Sequence, residues 1–145
     1  MIERRHLLML AGTAALVGRP ARATPEALQS AILAFTGGRL PQTGRVTLDI
    51  ATLIDNGNAV PVAVSVQSPM TAEDHVQRIA LFTELNPQPD VAVFHLGPRN
   101  GRATVSTRMR LANSQTVVAL AALSDGSMWQ QRVDVVVAIA ACIES

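Results

Sequence analysis

The chain has 145 residues, which is the length of one domain and enough to bury a hydrophobic core. Hydrophobic residues make up 48% of it and aromatic residues only 3%, so the core has to consist of aliphatic side chains. Twelve basic residues, all arginine, stand against eleven carboxylates, and no basic patch interleaved with aromatic residues occurs, which excludes the sequence signature of nucleic-acid binding.

The first 23 residues have the composition of an export signal. Arg4 and Arg5 lie in a charged start, a short apolar stretch follows, and an A-x-A cleavage pattern stands at 21–23. The arginine pair resembles the twin-arginine signal, although Glu3 replaces the usual Ser or Thr. The apolar stretch is too short for a stable membrane span. We therefore expect removal of 1–23 and a periplasmic protein; a general secretory signal and an uncleaved anchor are the alternatives.

One short helix is predicted directly after this signal. Thr24 is a suitable N-cap, and Pro25 fits the first helical position. The glycine pair at 37–38 ends the element. Between these limits the apolar residues recur at helical spacing: Leu28, Ile32 and Phe35.

From Arg45 onward the hydrophobic period changes to two, which is typical of β-strands. Candidate strands lie at 46–50, 60–66, 75–83, 91–96, 102–110, 115–123 and 130–139. Turn signals rich in Gly, Asn and Pro separate them, at 55–58, 86–87, 97–101 and 124–126. This pattern predicts a mainly β protein, an immunoglobulin-like antiparallel β-sandwich with a short N-terminal helix.

Residues suited to catalysis or metal binding are few. His75 and His95 have no spacing that binds zinc, and His95 is better interpreted as an ordinary strand residue. The adjacent pair Glu73-Asp74 fits a polar turn, because neighbouring strand residues point to opposite faces. Asp49 and Asp55 are expected on the surfaces of a strand and a loop. The sequence therefore predicts neither an enzyme nor a metal or other cofactor.

Cys142 is the only cysteine of the chain. In an oxidising compartment a lone cysteine cannot form an intrachain disulfide, so it points to an intermolecular bond or to reactive chemistry. A buried cysteine acting as a small hydrophobe is the alternative. The position of Cys142 beyond the last predicted strand favours a functional thiol. A catalytic couple with His75 or His95 stays open.

A polar strand face precedes this region. Arg108 and Arg110 share one side of the predicted strand with Thr104 and Ser106. We expect this face to be exposed to solvent. The alternative is that it guides an anionic group.

Four short motifs of the chain are specific enough to compare with known families: Asp55-Asn56-Gly57-Asn58 with Val60-Pro61-Val62, Ser68-Pro69-Met70, Asn86-Pro87 and Ser124-Asp125-Gly126-Ser127. With these motifs, residues 27–145 resemble the SoxY family, the carrier subunit of bacterial sulfur oxidation. The resemblance implies an immunoglobulin-like sandwich that pairs with a second small β-sandwich subunit, SoxZ, in a heterodimer. It also implies that Cys142, on a C-terminal arm, carries sulfur intermediates covalently between periplasmic enzymes.

The arm itself departs from the SoxY pattern. SoxY arms end Gly-Gly-Cys-Gly-Gly, whereas Cys142 here is flanked by Ala140 and Ala141 on one side and by Ile143 and Glu144 on the other. The chain thus resembles the SoxY-related group with an AACIE arm. Because glycine allows more backbone conformations than other residues, we expect a stiffer arm that serves a different partner enzyme.

Three segments and one function follow from these expectations. Residues 1–23 form the signal, 24–139 a SoxY-like β-sandwich domain, and 140–145 the cysteine arm. The predicted function is a periplasmic carrier of a sulfur-containing intermediate, as in thiosulfate oxidation. The first alternative is a scaffold subunit in which Cys142 packs at a partner interface, and the second is a thiol-dependent enzyme or redox protein.

Overall fold

The structure is a computed structural model and describes residues 24–139. The predicted signal at 1–23, with Arg4 and Arg5, lies outside the described residues. The predicted arm at 140–145, with Cys142, lies outside them as well.

A single helix opens the described part of the chain, as predicted. Helix α1 spans Pro25–Thr36, and the Thr24 hydroxyl accepts a hydrogen bond from the Ala27 N–H at 3.1 Å. Gly37 ends the helix in the left-handed conformation, with φ of 65°, which glycine adopts without steric cost. Within residues 24–139 no helix is long and apolar enough to cross a membrane.

Nine strands follow α1 in the described residues, with a short 3-10 turn at Pro98–Asn100 between the sixth and the seventh. All seven predicted strands are confirmed. The two additional strands are β1, which has only two residues, and β3, in which two adjacent apolar residues are followed by two polar ones, so that no alternation marks it. The strands are β1 Gln42–Thr43, β2 Val46–Asp49, β3 Leu53–Asn56, β4 Val60–Val66, β5 Val76–Thr83, β6 Asp90–His95, β7 Ala103–Met109, β8 Gln115–Leu123 and β9 Met128–Ile139.

The strands form two sheets. The large sheet has the order β1-β9-β8-β5-β6, with β3 also paired to β9, and the small sheet has the order β2-β4-β7. Most neighbours are antiparallel, but β1 and β3 run parallel to β9. The predicted immunoglobulin-like β-sandwich is confirmed, with these two parallel pairings as additions to it.

The main core lies between the two sheets. Val60, Val62, Val64 and Val66 of β4 are all buried, as their alternation predicts. The facing layer of the large sheet comes from β5, β8 and β9, whose buried members include Ile79, Leu81, Val117, Ala119, Val135 and Val137.

A second, smaller core lies on the outer face of the large sheet. Leu28 and Ile32 of α1 are buried there against residues of β5 and β8, among them Phe82 and Leu120. Because helix and small sheet cover opposite faces, β8 is buried on both, and its residues 117–123 are all buried. This explains why the sequence of β8 is a nearly continuous run of apolar residues.

Candidate functional site

Strand β9, which leads toward the predicted arm, pairs with β8 on one edge and, at its end, with β3 on the other edge. Its first part pairs antiparallel with β8, up to the pair Gln115–Val135. From Val136 onward it pairs in parallel with β3, where Leu53 lies beside Val136 and Asn56 beside Ile139. The end of β9 at 136–139, called the arm root below, is therefore held by the short strand β3, which the sequence did not predict.

On the edge that faces β8, a side chain takes the place of the strand beyond Gln115. β8 begins at Gln115, so no β8 strand residue faces Val137. The hydroxyl of Ser114 accepts the Val137 N–H at 2.8 Å, while the Val136 N–H donates to the Thr52 carbonyl at 2.8 Å on the other side. Both backbone donors are satisfied, as buried amides require.

The turn between β3 and β4 holds the last described residue. The Gly57 N–H donates to the Ile139 carbonyl at 2.9 Å, and the Gly57 carbonyl accepts the Leu111 N–H at 2.8 Å. The Asn56 side chain closes the turn by accepting the Asn58 N–H at 2.9 Å. The sequence predicted a turn here, but its spacing gave no sign that the turn secures the end of β9.

A groove opens beside this root, with a cavity volume of about 750 Å³. Its wall consists of β3 and the residues that follow β2. Residues of β4 and β7 complete the lining. The lining residues are 49–51, 53–56, 59–63 and 106–108.

The charged groups of the groove lie on opposite sides. Asp49 of β2 is beside Ala63 of β4, which in turn is beside Ser106 of β7. Arg108 lies two residues farther along β7, beside Pro61. The acidic side is therefore formed by β2 and β3 and the basic side by β7, with small apolar residues between them.

The polar face predicted on β7 is present. Thr104, Ser106 and Arg108 are exposed on one side, and the Thr104 hydroxyl lies 3.4 Å from that of Ser65. Arg110 is exposed too, but it follows the end of the strand. Only Ser106 and Arg108 of this set line the groove.

Asp49 lies on the surface of strand β2 as expected, whereas the expectation of a loop for Asp55 is wrong, because this residue lies within the short strand β3. Asp49 and Asp55 are exposed, yet both also line the groove. Glu73-Asp74 lies in a polar turn, in which the Thr71 N–H donates to the Asp74 carbonyl at 2.8 Å and the Asp74 N–H donates to the Thr71 hydroxyl at 3.0 Å.

Within residues 24–139, His75 and His95 do not form a site with other ligands. His75 is half-buried, with Nδ1 at 3.0 Å from the Thr71 carbonyl, and His95 is exposed on the edge strand β6. Across residues 24–139 there is no group of three or more His, Cys, Asp or Glu side chains that could hold a metal ion. A couple with Cys142 lies outside the described residues.

The chain matches a family model and several solved structures. The model described as sulfur oxidation protein SoxY matches residues 32–142, a stretch that includes Cys142. The structure of the sulfur carrier protein SoxY from Chlorobium limicola f thiosulfatophilum is 31% identical, with a TM-score of 0.64 over 77% of this chain and 96% of that chain. No curated protein matches.

More distant structures share the fold alone. A superoxide reductase (neelaredoxin) from Ignicoccus hospitalis is 17% identical, with a TM-score of 0.58 over 79% of this chain and 93% of that one. A putative superoxide reductase from Thermotoga maritima is 19% identical, with a TM-score of 0.54 over 71% and 89% of the two chains.

The match to SoxY confirms the resemblance found in the motifs. It also supports the prediction of a carrier protein rather than an enzyme. The AACIE arm group stays a prediction. With a family model matched over 32–142 and a SoxY structure that shares its fold at 31% identity, the chain belongs to the SoxY family.

Proposed function

We propose that this protein is a periplasmic carrier that holds a sulfur-containing intermediate covalently on Cys142 and presents it to partner enzymes. The observation that carries the proposal is the extent of the family match, which runs from residue 32 to Cys142 itself. The Chlorobium protein that shares its fold is a sulfur carrier.

The anchoring of β9 supports a carrier mechanism. A carrier thiol has to enter the active sites of other proteins while its own domain stays folded. The Ile139 carbonyl accepts the Gly57 N–H, and Cys142 follows three residues later, so the Cα of Cys142 can lie up to about 10 Å from that of Ile139. The chemistry belongs to the partner enzymes, and the sandwich supplies a rigid base for the thiol.

A heterodimer with a SoxZ-like subunit is part of the same proposal. Large apolar side chains are exposed around the arm root: Leu53 is 67% exposed, Val136 56% and Ile139 62%. Leu53 and Val136 are neighbours on one face, because they are paired in register. Exposed apolar patches mark interaction sites, and burying this one under a partner subunit would stabilise the complex. The closing experiment is size determination of the purified protein, in which Val136→Asp is expected to lower the heterodimer fraction.

The export route is proposed from the first 23 residues. Replacement of Arg4 and Arg5 by lysine is expected to leave the uncleaved precursor in the cytoplasm, because the twin-arginine route requires the arginine pair. A double variant that is still exported and cleaved after Ala23 would instead indicate the general secretory route. N-terminal sequencing of the periplasmic protein tests the boundary between 23 and 24.

Mass spectrometry of protein purified from its native periplasm tests the carrier function. The expected result is an added mass that maps to Cys142, disappears with a reductant and is absent from Cys142→Ser. Cys142→Ser is also expected to abolish the linked sulfur oxidation. An unmodified thiol that resists alkylation in the native complex would contradict the carrier and support the scaffold role.

A further inference from the structure

We propose that an extended segment of the partner subunit adds as a strand to the free edge of β3, in the groove beside the arm root. The inference rests on the heterodimer in the proposed function and adds the way in which the partner is recognised. Only residues 49–63 and 106–108 of this chain take part in the contact.

One edge of β3 carries backbone groups that no strand of the described residues pairs with. Within residues 24–139, β3 pairs with β9 alone. The Val136 N–H donates to the Thr52 carbonyl at 2.8 Å, so the even-numbered residues of this segment direct their backbone groups toward β9. Successive residues of a strand direct these groups to opposite edges, so the N–H and C=O of Leu53 and Asp55 face away from β9. Both residues line the groove.

The other side of the groove contains a second unpaired edge. Strand β2 ends at Asp49, which lies beside Ala63. Residues 60–62 of β4 therefore have β7 on one side and no strand of 24–139 on the other. They line the groove as well, so the groove is bounded by one unpaired edge from each sheet. Such edges are templates for pairing with an extended segment of another chain.

The size of the groove suits such a segment. A strand rises about 3.3 Å per residue, lies about 4.8 Å from its neighbour and belongs to a layer about 10 Å thick. Four extended residues, the length of β3, therefore need about 600–650 Å³. The cavity volume of about 750 Å³ is sufficient for them.

The side chains around the groove define the chemistry of the partner segment. Asp49 and Asp55 are exposed on the side of β2 and β3, and Arg108 is exposed on β7. A basic side chain beside the two aspartates and an acidic one directed to Arg108 would complement these charges. Leu53 belongs both to the groove and to the exposed apolar patch with Val136. A partner that covers this patch therefore also reaches the groove.

Amide hydrogen exchange tests whether a strand is added. The full-length mature protein is measured alone and in complex with the SoxZ-like subunit of the same organism, co-expressed with it. The N–H groups of Leu53 and Asp55 are expected to exchange about tenfold more slowly in the complex, the effect of one new backbone hydrogen bond each. The amides of β6, an edge strand at the other end of the large sheet, are the control and are expected to be unchanged.

Substitutions at residue 55 separate backbone pairing from charge. Asp55→Pro removes an N–H that faces away from β9, and proline is tolerated at a strand edge. Asp55→Ala is the matched control, because it removes the same carboxylate and keeps the N–H. We expect the dissociation constant of the heterodimer to rise about tenfold in Asp55→Pro and about two- to threefold in Asp55→Ala. Equal constants for the two variants would overturn the proposal, and if Asp55→Pro does not fold, the exchange of the parent complex decides.

The two proposals fail in different ways. Association of the subunits without slower exchange at Leu53 and Asp55 would overturn strand addition and leave the heterodimer intact. Absence of association would contradict the heterodimer and strand addition together, whereas the carrier function is tested separately on Cys142. Slower exchange at these two residues in the protein alone, increasing with its concentration, would indicate a second copy in the groove and would also overturn the proposal.

Discussion

We expect the hydroxyl of Ser114 to stabilise the end of β9, the last strand before the predicted arm. In Ser114→Ala the Val137 N–H loses the acceptor that lies 2.8 Å away. The substitution removes one oxygen and leaves the strand order intact. It therefore tests how the end of β9 is held on the edge where β8 is absent.

The expected magnitude follows from the burial of the donor. Val137 is only 8% exposed, so its N–H regains water poorly once the hydroxyl is gone. A buried donor without a partner costs about 1–3 kcal/mol, and since Ser114 is half-buried we expect a loss of about 1–2 kcal/mol in the free energy of unfolding. For a domain of this size that corresponds to a Tm lower by about 3–10 °C.

Urea denaturation and amide hydrogen exchange measure the effect. The control is Ser65→Ala, which removes an exposed hydroxyl with a weak 3.4 Å contact and is expected to cost about 0.5 kcal/mol or less. Exchange in Ser114→Ala should be faster at Val137 and at Gly57 than in the parent protein. Equal stability of the two variants, with unchanged exchange at Val137, would refute the assigned role of Ser114.

Two further predictions concern the stability of the domain. Ile32→Ala is expected to lower the free energy of unfolding, measured by urea denaturation, by about 2–4 kcal/mol, because Ile32 is 1% exposed between helix and sheet. Its neighbour Leu33 is 37% exposed, so Leu33→Ala is the control and should lower it far less. The Ser127 hydroxyl and N–H donate to Asp125 at 2.5 and 2.8 Å and hold the pKa of this exposed carboxylate below its ordinary value. The parent protein should therefore gain stability over Asp125→Asn at neutral pH and lose that gain as the pH falls below about 4, and a difference independent of pH would contradict this.

The sequence predicted those elements whose residues carry their own local signal. The cap of α1 at Thr24 and its end at Gly37 depend on one residue each, and both positions are confirmed. Strand β4 was found because its alternation over seven residues marks a buried face.

The missed features depend on contacts between distant parts of the chain. β3 has four residues, and its parallel partner in β9 lies about 80 positions later, so neither local propensity nor spacing indicates the pairing. The groove was missed for the same reason, since it brings the residues after β2 together with the end of β7. The sequence did mark Arg108 and Ser106 as one polar face, because that depends only on alternation within a single strand.

The parallel pairing of β9 with β3 supplies backbone hydrogen bonds to the end of β9 and also determines where the arm begins. Strand β8 begins at Gln115, so the last four residues of β9 extend beyond it and would leave a row of unpaired backbone groups. β3 and the hydroxyl of Ser114 satisfy these groups from both sides. Because β3 is also the wall of the groove, the strand that completes the sheet brings Ile139 to the groove's edge.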